Sequence, residues 1–342
     1  MSAKDLSPKS IKRHRKYPKF ICPSCQNEVE QQYAYYLCNT CQQQYPIIGG
    51  IVDFRLRSDR YLSLEEERAK AKRLLEECET SYASMLDYYY QITNDVPQEL
   101  AARYKAYHKN GPNLAKHYLT ELQINEKDIV LDVGCGSGGA LISAASQGAT
   151  IIGMDIALRW LVICQQRLKE QGIDALLICA DIESPPFAQN SFSKIIANDL
   201  LENVYSVDGS LKKISELLKP KGLVWVAGCN KFCLGPHPTT RLWAIGYFPK
   251  FIRTKIVIWL RGVDSLRFIN LISPGQVIKV CQKLGLHFIR RSPKIICIEH
   301  SQQYPLLDRL LIGVYVRFCQ LPVLRSLLFK FGPVFEITFQ KD

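Results

Sequence analysis

The chain has 342 residues, which at about 150 residues per domain means two domains or one domain with large insertions. With 47% apolar and 22% charged residues it sits near globular averages, which excludes wholesale disorder. No stretch reads as a membrane span, since the uncharged run 133–154 carries six glycines, and the first twenty residues lack the apolar centre of a secretory leader. The formal charge of +12 is uneven: residues 1–20 carry +6, residues 21–230 carry −6 and residues 231–342 carry +12. A basic arm and a basic C-terminal third point to an anionic partner, either nucleic-acid phosphate or a lipid headgroup.

In chain order, residues 1–19 form a charged arm expected to be disordered. Residues 20–56 follow as a short Cys-rich, aromatic module. There Cys22-Pro-Ser-Cys25 and Cys38-Asn-Thr-Cys41 give two C-x2-C knuckles separated by twelve residues. Four thiolates at that spacing suit a closed, structural, tetrahedral zinc site in a ribbon. The chain has 13 cysteines. An odd total, with the other nine scattered in apolar contexts, predicts a reducing, cytoplasmic setting in which those thiols are small buried hydrophobes.

Residues 57–110 read as a helical connector or lid. It holds a Glu/Lys/Ala/Leu-rich helix at 63–80, the tyrosines at 88–90 and a helix at 97–109, and a further helix is expected at 113–123. From 129 onward short apolar runs alternate with helical segments, with strands expected at 129–133, 150–154, 175–179, 193–198 and 222–228. This alternation predicts an α/β fold with a parallel sheet covered on both faces. A helix at 275–284, a strand at 287–298 and a last strand FEITF complete it.

Val130-Leu131-Asp132-Val133-Gly134-Cys135-Gly136-Ser137-Gly138-Gly139 takes a strand into a glycine turn and then a helix, a place where backbone N–H groups meet a ligand closely. Gly134, Gly136 and Gly139 also satisfy G-x-G-x-x-G, so a dinucleotide site competes at this point. Asp155 ends the second strand, Asp181 the third and Asn198 the fourth. They line the crevice where open parallel sheets bind ligands.

The segments VLDVGCGSGG, IIGMDIA, ICADIESPPF, FSKIIANDLLENV and LLKPKGLVWVA resemble the successive motifs of class I S-adenosylmethionine-dependent methyltransferases, of the type-11-like group. The resemblance implies a doubly wound, Rossmann-like sheet of seven strands whose last hairpin is antiparallel, occupying residues 111–342 with insertions at about 231–272 and 304–330. It also implies that Asp132, Gly134, Gly136 and Gly138 hold the methionine end of S-adenosylmethionine. Asp155 with Ile156 would take the ribose, Asp181 with Ile182 the adenine, and Asn198 the rear of the pocket. Asp132, two residues before the first glycine, favours this cofactor over a dinucleotide. Where many relatives carry Glu-His this chain has Glu202-Asn203, so no histidine base stands there. The ribbon is similar to the small module that activates tRNA and ribosomal methyltransferases, and to the ribbon preceding some bacterial ribosomal RNA guanine methyltransferases.

Methyl transfer from a sulfonium needs alignment and water exclusion more than covalent help. For an acceptor requiring a base, the candidates are His237, Glu202, Tyr90 and His117, and none is singled out by spacing. Residues 231–272 mix Trp and Phe with Arg and Lys, while 304–330 carry an apolar helical period with basic flanks. This favours a hydrophobic, lipid-linked or membrane-associated small molecule as acceptor, with peripheral contact at the inner face of a membrane. The alternative is an RNA (tRNA or rRNA) acceptor held by the ribbon and the basic segments. Ribbon and cofactor site are expected to be separable, so that deleting the ribbon leaves cofactor binding intact.

Overall fold

A computed structural model describes residues 17–76, 81–93, 98–294 and 306–342. Most of the basic arm, Cys78, Cys297 and the start of the second insertion lie outside the described residues.

Two short antiparallel pairings open the chain: β1 (Glu30–Gln31) with β2 (Tyr35–Leu37), and β2 with β3 (Gln44–Ile48). Gly49 and Gly50, at φ of 58° and 85°, turn β3 back into β4 (Ile51–Asp53); left-handed φ suits glycine at such a turn. Next come α1 (Leu64–Glu76), α2 (Tyr82–Gln91) and α3 (Gln98–Glu121). Ser63 and Glu66 form a reciprocal capping box at the start of α1, with contacts of 2.8 and 3.2 Å.

The helices expected at 97–109 and 113–123 are one continuous helix that runs through Gly111 and Pro112. A proline normally breaks a helix. Here Gly111 packs against Gly139, where an added Cβ would meet backbone at 2.8 Å, and the tertiary contact outweighs the local signal.

The alternating region follows as β5 (Ile129–Val133), α4 (Gly139–Ala145), β6 (Thr150–Asp155), α5 (Leu158–Glu170), β7 (Leu176–Cys179), β8 (Phe192–Asn198), α6 (Val207–Leu217) and β9 (Leu218–Cys229). Beyond them lie α7 (Lys250–Arg261), α8 (Pro274–Lys283), β10 (Leu286–Pro293), α9 (Leu306–Cys319), α10 (Pro322–Phe331) and β11 (Val334–Lys341). The turn expected at 219–222 persists as an irregularity inside β9, with Lys221 at φ 63°.

The seven strands β7-β6-β5-β8-β9-β11-β10 are the doubly wound sheet implied by the resemblance, with only β11 antiparallel to its neighbours. Strand residues are buried on both sides. Leu131 and Val133 pack with α6 and α8, while Val130 packs with α3, α4 and α5. The sheet nevertheless has eleven strands, because β4 pairs in parallel with β7 through Val52–Ile178 and Asp53–Cys179. The Cys-rich module thus extends the main sheet at its edge. Periodicity shows that a strand exists but not which edge it joins.

Candidate functional site

The glycine turn leaves β5 at the C-terminal edge of the parallel strands. Gly134 (φ 74°) donates its N–H to Met154 O at 2.7 Å, and Gly138 (φ 76°) forms the N-cap of α4. Gly136 has open space where a Cβ would stand, so the turn presents backbone to the crevice. Asp155 is braced by two amides: its Oδ2 accepts from Gly136 N at 2.8 Å and its Oδ1 from Ala157 N at 2.9 Å. A carboxylate offers about four lone-pair sites, so two remain for a diol such as a ribose. Asp132 is buried beneath the turn, and burial together with the nearby Asp155 pushes its carboxyl up to about 7. A cationic sulfonium or ammonium brought beside it favours the ionised form. These features fit the cofactor implied by the resemblance.

Helix α3 covers the turn. His108 Nδ1 lies 3.0 Å from Ser137 Oγ, and its ring packs on Trp160 with centroids 4.4 Å apart. Burial, and then the Arg167 guanidinium, lower His108 to about 4, so it is a neutral hydrogen-bonding group. Next to it in the chain, the Tyr107 hydroxyl donates to Asp199 Oδ2 and accepts from Asn198 Nδ2, both at 3.1 Å. Lys294 Nζ donates to Asn198 Oδ1 at 2.7 Å and to Asp199 Oδ2 at 3.1 Å. Asn198, expected at the rear of the pocket, therefore sits in a network with Asp199 beside it and with Tyr107 and Lys294 from distant segments.

Asp181, expected at the adenine end, is held by Arg57: the Nε–Oδ2 distance is 2.6 Å, and Arg57 also reaches Glu183 at 3.0 Å. The guanidinium lies over the Tyr205 ring, 4.1 Å from its centroid. Arg55, buried with Asp53 at 2.8 Å, donates to the carbonyl of Ile156 at 3.0 Å. Ile182 is buried beside Asp181. The segment leaving the Cys-rich module thus contacts both Ile156 and Asp181, the residues that the resemblance gives to the ribose and the adenine.

The four base candidates do not converge. Glu202 is buried, accepts from Cys229 N, has no hydrogen-bond partner for Oε2 among the described residues, and is pushed up to about 7 by burial and by Asp199. His237 is buried inside the 231–272 insertion, where its Nδ1 accepts from Thr239 N at 3.3 Å; burial and Arg253 lower it to about 4. Tyr90 lies on α2 beside Tyr89, with centroids 5.0 Å apart. His117 joins a cluster with Glu336 at 3.0 Å and Glu121 at 3.4 Å, on the face of the sheet covered by α3. Arg290, 3.0 Å from Glu121, and Ser292, donating to Glu336 at 2.6 Å, already supply that cluster with donors. Sequence reading missed Arg57, Tyr107, His108 and Lys294. The only local signal was the two-residue alternation of Arg55 and Arg57 leaving a strand.

Cys22, Cys25, Cys38 and Cys41 come together, with all four Sγ atoms within 4.8 Å of one another. Cys22 and Cys41 are 3.5 Å apart, Cys25 and Cys38 3.4 Å. Tetrahedral zinc with bonds of about 2.3 Å requires sulfur separations of this order. Tyr45 Oη at 3.0 Å from Cys22 and Asn27 Nδ2 at 3.4 Å from Cys25 supply an outer shell. Four sulfur donors leave no open position, so the set suits a structural ion.

Residues 131–226, which hold the glycine turn and the three strand-end residues, match the family described as a methyltransferase domain. This segment is a methyltransferase domain. The chain is 31% identical over 108 residues to a sterol 4-C-methyltransferase of Caenorhabditis elegans and 30% identical over 102 residues to a ubiquinone biosynthesis O-methyltransferase of Brucella anthropi. It is 36% identical over 118 residues to a demethylmenaquinone methyltransferase of Tropheryma whipplei. These matches take in 31%, 30% and 34% of this chain. They span less than half of each relative, 32%, 41% and 46% respectively.

Proposed function

We propose that the chain is an S-adenosylmethionine-dependent methyltransferase acting on a lipophilic small molecule at a membrane surface, with a structural zinc in its ribbon. The observation that carries the cofactor reading is the braced Asp155 beside the open Gly136 turn, inside a matched methyltransferase domain. When bound, the cofactor supplies an electrophilic methyl group on a sulfonium. Gly134, Gly136 and Gly138 expose backbone to its methionine end near Asp132, Asp155 and Ile156 hold the ribose, and Asp181 with Ile182 faces the adenine. Tyr107 and His108 on α3 shut the crevice from water. Excluding water strengthens each polar contact inside.

The acceptor reading rests on the C-terminal third and on what the relatives' names state, namely sterol, ubiquinone-pathway and menaquinone-pathway substrates. On α9, Leu306, Leu310, Val314 and Phe318 form an exposed stripe at four-residue spacing; Val323, Leu327 and Phe331 do the same on α10. Arg309, Arg317 and Lys330 accompany them, and among the described residues none of the three forms an ion pair. Apolar stripes flanked by long cationic side chains suit the headgroup–acyl boundary of an anionic bilayer. Among the described residues, no helix is long and apolar enough to cross a membrane. The decisive experiment supplies labelled cofactor and the full chain with separated lipid, small-molecule and RNA extracts. Label in an apolar lipid fraction supports this reading, whereas label confined to RNA overturns it.

A further inference from the structure

Lys294, the residue that follows β10, joins two regions of the molecule through its two ends. Its Nζ donates to Asn198 Oδ1 at 2.7 Å and to Asp199 Oδ1 and Oδ2 at 3.2 and 3.1 Å. Its carbonyl accepts from Tyr315 Oη at 2.8 Å, and Tyr315 is a buried side chain of α9. Burial alone would lower the basicity of Lys294, but Asp199 outweighs it and keeps the ammonium charged. Lys294 thus holds the crevice with its side chain and α9 with its backbone. Asp199 sits at φ 52°, a left-handed backbone that persists only where surrounding contacts fix it. Lys294 and Tyr107 are those contacts.

A second tie runs from α10. Asn230, fully buried after β9, donates from Nδ2 to Lys330 O at 2.8 Å and to Gly332 O at 3.1 Å. Leu234 N donates to Phe331 O at 3.0 Å. The residue before Asn230, Cys229, donates its N–H to Glu202. The end of α10 is therefore held by a loop whose own start rests on the segment that leaves β8.

The elements held by these ties are lightly packed. Among the described side chains of α9 and α10, Tyr315 and Phe329 alone are buried. Elements with so few buried apolar contacts open at low cost. Their outer stripes, described above, are exposed, and the two helices carry Arg309, Arg317, Arg325 and Lys330 against Asp308. An anionic bilayer matches that surface in both charge and polarity.

We propose that Lys294 and Tyr315 are positioning residues that link bilayer docking of α9 and α10 to the cofactor crevice, so that an anionic membrane surface and S-adenosylmethionine bind with positive coupling. Two states are involved. In the first, Tyr315 rests on Lys294 and Lys294 reaches Asn198 and Asp199. In the second, α9 is lifted and Lys294 is withdrawn. The bilayer favours the first because it covers the stripes of a seated helix pair, and the cofactor favours it because the rear of the crevice is then ordered. Each ligand shifts the balance by its differential affinity for the two states. The coupling confines methyl transfer to the surface where a lipophilic acceptor resides. This inference rests on the membrane-surface reading above, and its test separates the two.

The test uses the full chain and vesicles of phosphatidylcholine with phosphatidylglycerol. Calorimetry measures S-adenosylmethionine affinity with and without saturating vesicles, and co-sedimentation measures vesicle affinity with and without the cofactor. Wild type should bind the cofactor at least about fivefold more tightly on vesicles, and bind vesicles more tightly with cofactor by the same factor, because coupling is reciprocal. Tyr315→Phe removes one hydroxyl and should lose most of this coupling while keeping each separate affinity. A merely structural role for Tyr315 would instead lower the separate affinities and leave their ratio unchanged. Should Tyr315→Phe fail to fold, Lys294→Gln carries the same readout. Vesicle binding with no change in cofactor affinity, or full coupling retained in the variant, overturns the inference and leaves the membrane reading standing. Absence of vesicle binding by wild type overturns the membrane reading and this inference with it.

Discussion

The two ends of the sheet use similar side chains in opposite ways. At the β7 edge the ribbon turns its aromatics inward: Phe20, Tyr36, Tyr45 and Phe54 are buried, with Phe54 centroids 4.9–5.8 Å from the other three. At the other end, beyond β9, Trp259, Val323 and Leu306 are 82%, 74% and 69% exposed. A module of some 35 residues cannot build its own core, so it closes around four thiols and welds β4 onto the sheet. The C-terminal helices already have a core to rest on, through Tyr315 and Phe329, yet leave a second apolar face open. Inward apolar surface serves stability, while the outward stripes are the surface on which the proposed membrane contact rests.

The largest effect should come from breaking the ribbon. Chelation of metal from reduced protein, or Cys22→Ser with Cys25→Ser, should melt β1–β4 and weaken S-adenosylmethionine binding together, because Arg55 and Arg57 leave that module for Ile156 and Asp181. Metal content, circular dichroism and calorimetry check this; unchanged cofactor affinity in metal-free protein would show that the two regions are uncoupled. At the opposite end, Leu310→Glu with Leu327→Glu should leave stability within about 0.5 kcal/mol. The same pair should abolish most sedimentation with anionic vesicles, and a large loss of Tm instead would place the stripes in the core.

Smaller changes sharpen the same contrast. Arg57→Ala removes a half-exposed ion pair, so cofactor binding should weaken by about 1 kcal/mol or less; calorimetry beside the metal-free protein separates this contact from the ribbon as a whole. A test read against pH concerns Glu202. Its carboxyl is raised to about 7 by burial and Asp199. The stability linked to its proton is therefore full below its ordinary range near 4.5 and is lost as pH rises through about 7. Denaturant titrations should show Glu202→Gln matching wild type at pH 4.5 and exceeding it at pH 8. Equal stability at both would contradict a buried, neutral Glu202.

Much of this arrangement was legible before any coordinates. The strands that carry Asp132, Asp155 and Asn198 and the one that leads to Asp181 were readable because a parallel sheet buried on both faces demands continuous apolar runs. The cysteine knuckles were readable because ligand spacing is local. Contacts between distant segments were not: the pairing of β4 with β7, Arg57 with Asp181, Lys294 with Asn198, and His108 with Ser137. The sequence separations run from 29 to 124 residues for three of these pairs, and no periodicity encodes a partner that far away. Pro112 misled for the same reason, since the packing of Gly111 on Gly139 is invisible to local propensity.

Calorimetric titration of S-adenosylmethionine into the full chain and into Asp155→Ala tests the central claim most directly. Wild type should bind the cofactor, and the variant should lose about 1–3 kcal/mol of affinity, as expected for charge-assisted hydrogen bonds to the ribose. NAD should give no heat with either protein. Equal affinity in both proteins, or binding of NAD in place of S-adenosylmethionine, would contradict the account.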